Sequence, residues 1–242
     1  ISLCVRQKKK CLKLCIEKNG ITVIVLQGWN DISFRGSLQV PTPNIDALAL
    51  NGLTLQNYYG EWHCTLSRAA LLTGRYPMRY GLQYGILGGE ASGLPLNEII
   101  LPAYLKSFGS ETHMIGKKQQ ESQNVEEYFV LHFTDVIIIA KHSQTLFQHV
   151  TFLAILVRKY GTTPVTNSQG RYATHVFTEA AENIINDHDL SKPLFLYLAH
   201  LAVHSGNPYQ PVQAPSEDIA QFNYIDDVNR RIHAGIDTKL YQ

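Results

Sequence analysis

Neither sign of charge predominates. Lys and Arg number 21 against 20 Asp and Glu in 242 residues, a formal charge of +1. No field of one sign therefore draws nucleic acid or an acidic partner. Charged residues make up only 17% and apolar residues 45%, which excludes a disordered chain and fits one large α/β domain. No apolar run reaches the ~18 residues of a membrane helix. The nearest, "YFVLHFTDVIIIA" at 128–140, is interrupted by Asp135, so no membrane span is expected. The 10 histidines include no HExxH or paired metal spacing. There is no N-x-[ST] acceptor to mark secretion. Cysteine is scarce: Cys4, Cys11 and Cys15 crowd the N-terminus without a second half of metal-site spacing, and Cys64 stands alone. A solitary Cys64 suits a modified thiol better than a structural bridge. The opening "ISLCVRQKKKCLKLCIEKNG" is basic, has no sustained apolar core and lacks an initiator Met. It is not a normal signal peptide, and we read residues 1–20 as a basic extension and the chain as a fragment.

What is present alternates between two periodicities. "ITVIVL" (21–26) is a β-branched run expected to form a strand buried on both faces. "TPNIDALALNG" predicts a helix with Thr42 as N-cap, Pro43 first, Asp46 in the first turn and Gly52 as terminator. "LTLQNYY" (53–59) predicts a short strand. A helix starting near Cys64 and ending at Gly74 follows, then another over "LPAYLKSFG" (101–109) and a strand over "ETHMIGK" (111–117). "YATHVFTEAAENIINDH" predicts an amphipathic helix, "KPLFLYLAH" (192–200) a buried strand, and "YIDDVNRRIHAGIDTKLYQ" a last helix. Strands alternating with helices imply a layered α/β sheet. Residues 119–165 are rich in aromatic and β-branched residues, have no clear period, and are left unassigned as a segment prone to mispairing.

The stretch "HCTLSRAALLTGRY" (63–76) carries the chemistry. Residues four apart share a helix face, so Cys64 and Arg68 project side by side. At a helix start the unpaired N–H groups and the macrodipole favour a thiolate or a bound anion. Arginine adds a fork of donors that matches a tetrahedral oxyanion. On spacing alone, a small buried cysteine beside a surface arginine is the favoured reading.

The whole string "CTLSRAALLTGRYPMRYGLQ" closely resembles the sulfatase signature, in which Cys-x-Pro-Ser-Arg leads into Leu-Leu-Thr-Gly-Arg. The arylsulfatase B type is the nearest likeness. "GWNDISFRGS" (28–37), "PTPNIDALALNGLTLQNYY" (41–59), "THMIGK" (112–117) and "SKPLFLYLAHLAVHSGNPYQPVQAP" (191–215) follow in that family's order. The resemblance implies an alkaline-phosphatase-like α/β fold, a mixed sheet flanked by helices, incomplete on its C-terminal side. It implies a partial N-terminal catalytic domain over 21–242, with 119–165 divergent. The implied activity is hydrolysis of sulfuric esters of sugars or aryl alcohols. In that family the cysteine becomes formylglycine, whose hydrate attacks sulfur while calcium holds the sulfate. Residue by residue, Cys64 matches the nucleophile precursor, Arg68 its stabilising partner, Lys117 the sulfate-binding lysine and His204 the histidine near the leaving oxygen. A formylglycine-generating enzyme is an implied partner, and the implied compartment is lysosomal or extracellular.

Four departures from the pattern bear on activity. The strand runs "IVLQGWND", without the Asp-Asp pair of the family's calcium turn, and Asp31 is a poor substitute. Gln119 stands where the family has a histidine after "IGK". Leu66 replaces the signature proline, which bears on modification of Cys64. The later Asp-Asn metal pair and second lysine are not reached. Calcium wants six to eight oxygen ligands, and of the family's metal-site residues only Cys64 remains. Loss of one preorganised group typically costs ~10²–10³ in rate, so the expectation is a chain with little or no activity. The rival expectations are a non-catalytic protein that binds sulfated glycans or a partner through Arg68, Lys117 and His204, or a damaged or mispredicted gene product.

Overall fold

The structure, a computed structural model, describes residues 2–7, 10–17, 20–84, 93–117, 133, 135–139, 156–158, 164–165, 171–200, 202–203 and 212–241. Residues 2–7, 10–17, 20–27, 29, 117, 135–139, 156–158, 164–165 and 238–241 are described by backbone alone.

The first three strands, β1 (Ser2–Gln7), β2 (Lys10–Glu17) and β3 (Gly20–Gly28), form an antiparallel sheet in that order. Cys4 pairs with Lys13 and Cys15 with Thr22, with an irregularity between Cys11 and Lys13. The segment read as an extension is thus two strands laid on β3. Its signal was the alternation of Leu12, Leu14 and Ile16 with polar residues and cysteine, the period of a strand, which a reading by charge passed over.

Helix α1 (Pro43–Leu50) begins as expected, with Thr42 as N-cap and Pro43 at N1. The Thr42 side chain does not cap the backbone. It donates instead to Asp46 Oδ1 at 2.9 Å, and Ser33 Oγ donates to Asp46 Oδ2 at 2.6 Å. Asp46 is therefore a hub that ties the loop after β3 to the helix. The terminator is Asn51, not Gly52: Asn51 N–H and Nδ2 both reach Ala47 O, at 3.1 and 2.8 Å. Nor is 53–59 a strand; only Tyr59 joins a bridge. Leu53, Tyr58 and Tyr59 are exposed, so no core face fixes an extended register there.

Helix α2 (Cys64–Thr73) ends at Gly74 and α3 (Leu101–Ser107) runs into Gly109, both glycines left-handed, as the sequence pattern requires. The second sheet has the order β7-β6-β5-β4-β8. In it, β4 (Glu111–Lys117) lies parallel to both β5 (Asp135–Ile139) and β8 (Leu194–Ala199). β6 (Leu156–Arg158) and β7 (Pro164–Val165) continue it antiparallel. The unassigned block 119–165 thus contributes three strands to this sheet, and the rest of it lies outside the described residues. Strand β3 lies against β8. Helices α4 (Ala173–Asp187), α5 (Ser216–Ala220) and α6 (Val228–Tyr241) follow.

Strand parity divides the core. Met114, Phe195, Tyr197 and Ala199 face α2, meeting Leu66, Ala69 and Leu72. Ile115 and Leu196 face α4, meeting Val176 and Phe177. Leu66, which stands where the signature has proline, is 3% exposed and belongs to the first of these clusters. At the third helical position the N–H has no intrahelical acceptor in any case, so leucine in place of proline leaves the helix ladder as it was and adds apolar burial.

Two strand ends hold special backbone. Gly116 has φ +109°, and a Cβ on it would lie 2.1 Å from Ala199 O. Only glycine lets β4 approach β8 that closely. His200, just past β8, is buried against Phe177, with ring centroids 6.0 Å apart. Burial pushes its pKa down to about 4. His233 is shifted the other way, chiefly by its hydrogen bond to Asp237.

We expect Gly116→Ala to cost about 2–4 kcal/mol in urea unfolding, because both the contact and the backbone angle are violated. For His200 the folded pKa lies below the unfolded value near 6.5. Its neutral form is therefore fully accommodated above that pH, and stability falls as pH drops from 6.5 toward 4. The loss is about 3 kcal/mol at 1.36 kcal/mol per unit. His233 acts oppositely: its stabilisation is present below the unfolded pKa and fades as pH rises through the raised one. His200→Leu should flatten the acid limb of a stability-against-pH curve and leave the neutral-to-alkaline limb as it was.

Candidate functional site

The site is built at the N-terminal end of α2. His63 is the N-cap: its Nδ1 accepts the Thr65 N–H at 3.4 Å and lies 3.6 Å from Cys64 Sγ. Trp62 packs its ring edge-on to His63 and is itself 62% exposed. Cys64 is half-buried as the first helical residue. The thiol thus has an imidazole on one side and the helix N-terminus beneath it. Ser67 Oγ donates to Glu61 O at 2.8 Å and fastens the entering loop to the first turn.

Arg68 points inward. It is 1% exposed and heads the largest fully buried side chains. Its Nη1 donates to Tyr197 Oη at 3.1 Å across the contact between α2 and β8. Its Nε and Nη2 have no hydrogen-bond partner among the described residues. A buried guanidinium without an anion is costly, because its hydration is lost and nothing replaces it. The unpartnered Nε–Nη2 edge is the planar pair that suits two oxygens of one oxyanion.

Lys117 closes β4, its backbone paired with Ile139 of β5, directly after the positive-φ Gly116. It therefore sits at the carboxyl end of the parallel strands, where open α/β sheets place ligands. His204 lies outside the described residues. Val203, just before it, has φ +59°, a left-handed conformation that β-branched residues avoid. The structure thus joins Arg68 to Tyr197 and sets Cys64 and Arg68 one turn apart on one helix.

Two residues of this site escaped the reading by sequence. His63 could have been found as a polar residue with acceptor capacity directly before a helix start. Tyr197 could have been found as the one hydroxyl in the apolar strand "LFLYLA", since a buried tyrosine hydroxyl needs a partner.

The described residues do not fit calcium. Asp31, the nearest carboxylate after β3, is engaged by Arg230 Nη1 at 2.7 Å. Its side chain also folds back over Gly28, where a Cβ would lie 1.9 Å from Asp31 Oδ2. No group of three or more His, Cys, Asp and Glu side chains able to hold a metal occurs among the described residues. Cys64 offers a sulfur beside an imidazole, and calcium takes oxygen.

Comparison with known proteins locates this arrangement. A family profile described as Sulfatase matches residues 23–241. Arylsulfatase J of Mus musculus is 33% identical over 221 residues, covering 87% of this chain and 35% of its own length. Among solved structures, Ps i-CgsB in complex with k-i-k-neocarrahexaose superposes with TM-score 0.70 at 24% identity, covering 96% of this chain and 52% of that one. BT4656 in complex with its substrate D-glucosamine-2-N,6-O-disulfate gives TM-score 0.64 at 22% identity over 90% of this chain and 38% of its own. The chain therefore spans about a third of the curated relative and between a third and a half of these solved chains. The alkaline-phosphatase-like architecture is the one expected, and the arylsulfatase likeness holds. With a profile that covers nearly the whole of it, the chain belongs to the sulfatase family.

Proposed function

We propose that this chain carries the oxyanion half of a sulfuric ester hydrolase site, and that it binds the sulfate of a sulfated sugar or aryl sulfate far better than it hydrolyses it. The observation that carries this reading is the Nε–Nη2 edge of Arg68, buried and without a partner among the described residues, one turn behind Cys64. An oxyanion accepting both N–H groups offsets the desolvation that the fold has already incurred. Lys117, at the carboxyl end of β4, adds a second cation, and His204 is the proposed proton donor to the leaving oxygen.

Cys64 is the position for formylglycine, whose hydrate would supply the oxygen nucleophile. The first position of α2 lies at the positive end of the helix, which favours an anionic nucleophile or a bound sulfate there. The same proposal includes a formylglycine-generating enzyme as partner and a lysosomal or extracellular compartment. Among the described residues no helix is long and apolar enough to cross a membrane.

A second reading is supported by the engagement of Asp31 with Arg230 and by the lack, among the described residues, of a side-chain group able to hold a metal. On it the chain is a non-catalytic binder of sulfated glycans, and the proteins solved with neocarrahexaose and with glucosamine disulfate suggest the ligand class.

Two measurements decide between these readings and test their common basis. The chain is coexpressed with the modifying enzyme, and the tryptic peptide ending at Arg68 is examined by mass spectrometry. The same protein is then assayed on an aryl sulfate with calcium added. We expect at most trace turnover, and hydrolysis well above trace would refute the proposed loss of activity. Unmodified cysteine in the peptide would favour the binding reading. Arg68→Met should abolish binding of inorganic sulfate while raising stability by about 1–3 kcal/mol, since a buried lone charge is replaced by an apolar chain. A variant that loses stability and keeps its sulfate affinity would contradict the proposed role of Arg68.

A further inference from the structure

We propose that Tyr197 is a positioning residue of the oxyanion site: its hydroxyl pins Nη1 of Arg68 so that the Nε–Nη2 edge is presented in one fixed attitude. This inference rests on the reading of Arg68 as the oxyanion-binding residue.

Four features of the molecule converge on it. Tyr197 is 1% exposed in the middle of β8, paired with Met114 of β4, and so stands on a rigid part of the sheet. Its ring belongs to the cluster that receives Leu66, Ala69 and Leu72 of α2, which brings the hydroxyl against the helix that carries Arg68. The hydroxyl accepts one bond, from Nη1 at 3.1 Å. The two nitrogens of the guanidinium that are without a partner among the described residues are those of the remaining side-on edge.

The guanidinium is planar, so fixing one terminal nitrogen at a defined point fixes the plane and direction of the other donors. An arginine held at one end loses less freedom when an anion arrives, and the affinity gained is that of preorganisation. The chemistry of the anchor matters as much as its place. A carboxylate at this position would hold the guanidinium equally well but would neutralise it and compete with the incoming anion. A phenol orients without cancelling charge. The full positive charge of Arg68 is left for the ligand, in a site that excludes water and strengthens the attraction.

The test uses the full chain and inorganic sulfate at constant ionic strength, with chloride as the comparison anion. Tyr197→Phe keeps the ring and removes the anchor. We expect its dissociation constant for sulfate to rise about tenfold while chloride affinity stays the same. The unfolding midpoint without sulfate should fall modestly, because Nη1 loses its buried partner. A purely structural role would weaken both anions alike, and that result overturns the proposal. If the unaltered chain binds sulfate, Arg68→Met abolishes it and Tyr197→Phe binds as before, the inference on Tyr197 fails while the reading of Arg68 stands. If the unaltered chain binds no sulfate, both fail together. Nitrogen-detected NMR of the unaltered protein needs no variant to fold. The Nη1 and Nη2 signals of Arg68 should be resolved, and its Nε–H should shift on addition of sulfate. Rotationally averaged Nη signals would refute the anchoring.

Discussion

The bond between Arg68 and Tyr197 is the constraint around which this half of the molecule is arranged. A charged side chain lies in an apolar interface between a helix and a parallel strand, held among the described residues by one neutral hydrogen bond. Such a group is tolerable only if the surrounding core is strong enough to carry its desolvation. The core supplies that strength through Leu66, Ala69 and Leu72 on the helix side and Phe195, Tyr197 and Ala199 on the strand side. The same packing that stabilises α2 against β8 therefore keeps the guanidinium out of water.

The sheet has its own version of this coupling. At Gly116 the backbone of β4 leaves no room for a Cβ beside Ala199 O of β8, and the strand continues in register to Lys117. On the opposite face, Ile115 and Leu196 bury against α4, so the strand cannot slip by one residue without exchanging its two cores. The position of Lys117 is thus settled by packing on both faces.

Much of this was legible in the sequence because its signals were local. Gly74 and Gly109 announced helix ends, "ETHMIGK" and "LFLYLA" announced buried strands, and Cys64 stood at a helix start. The errors came where two signals competed. Lysines in the first ten residues drew attention from the alternation that makes β1 and β2. Leu53, Tyr58 and Tyr59 have strand propensity, but no sheet face receives them. Asn51 won over Gly52 because its side chain can close the last turn itself. His63 and Tyr197 were missed for a different reason: each acquires its meaning only from a partner that the fold supplies. That partner is next door for His63 and 129 residues distant for Tyr197.

Leu66 and Asp31 show how a family fold persists where residues of its pattern change. Leu66 stands in a signature position and is spent on the core. Asp31 stands beside the site of the expected calcium turn and is spent on Arg230, which also donates to Gln39 Oε1 at 2.8 Å. That pair joins the loop after β3 to α6. Both residues now act on stability, at places where the family pattern asks for catalysis. Neither change disturbs Arg68, because its burial is enforced by helix and strand packing that does not involve the loop. The place of Arg68 rests on the core, whereas that of Asp31 rests on a loop and one ion pair.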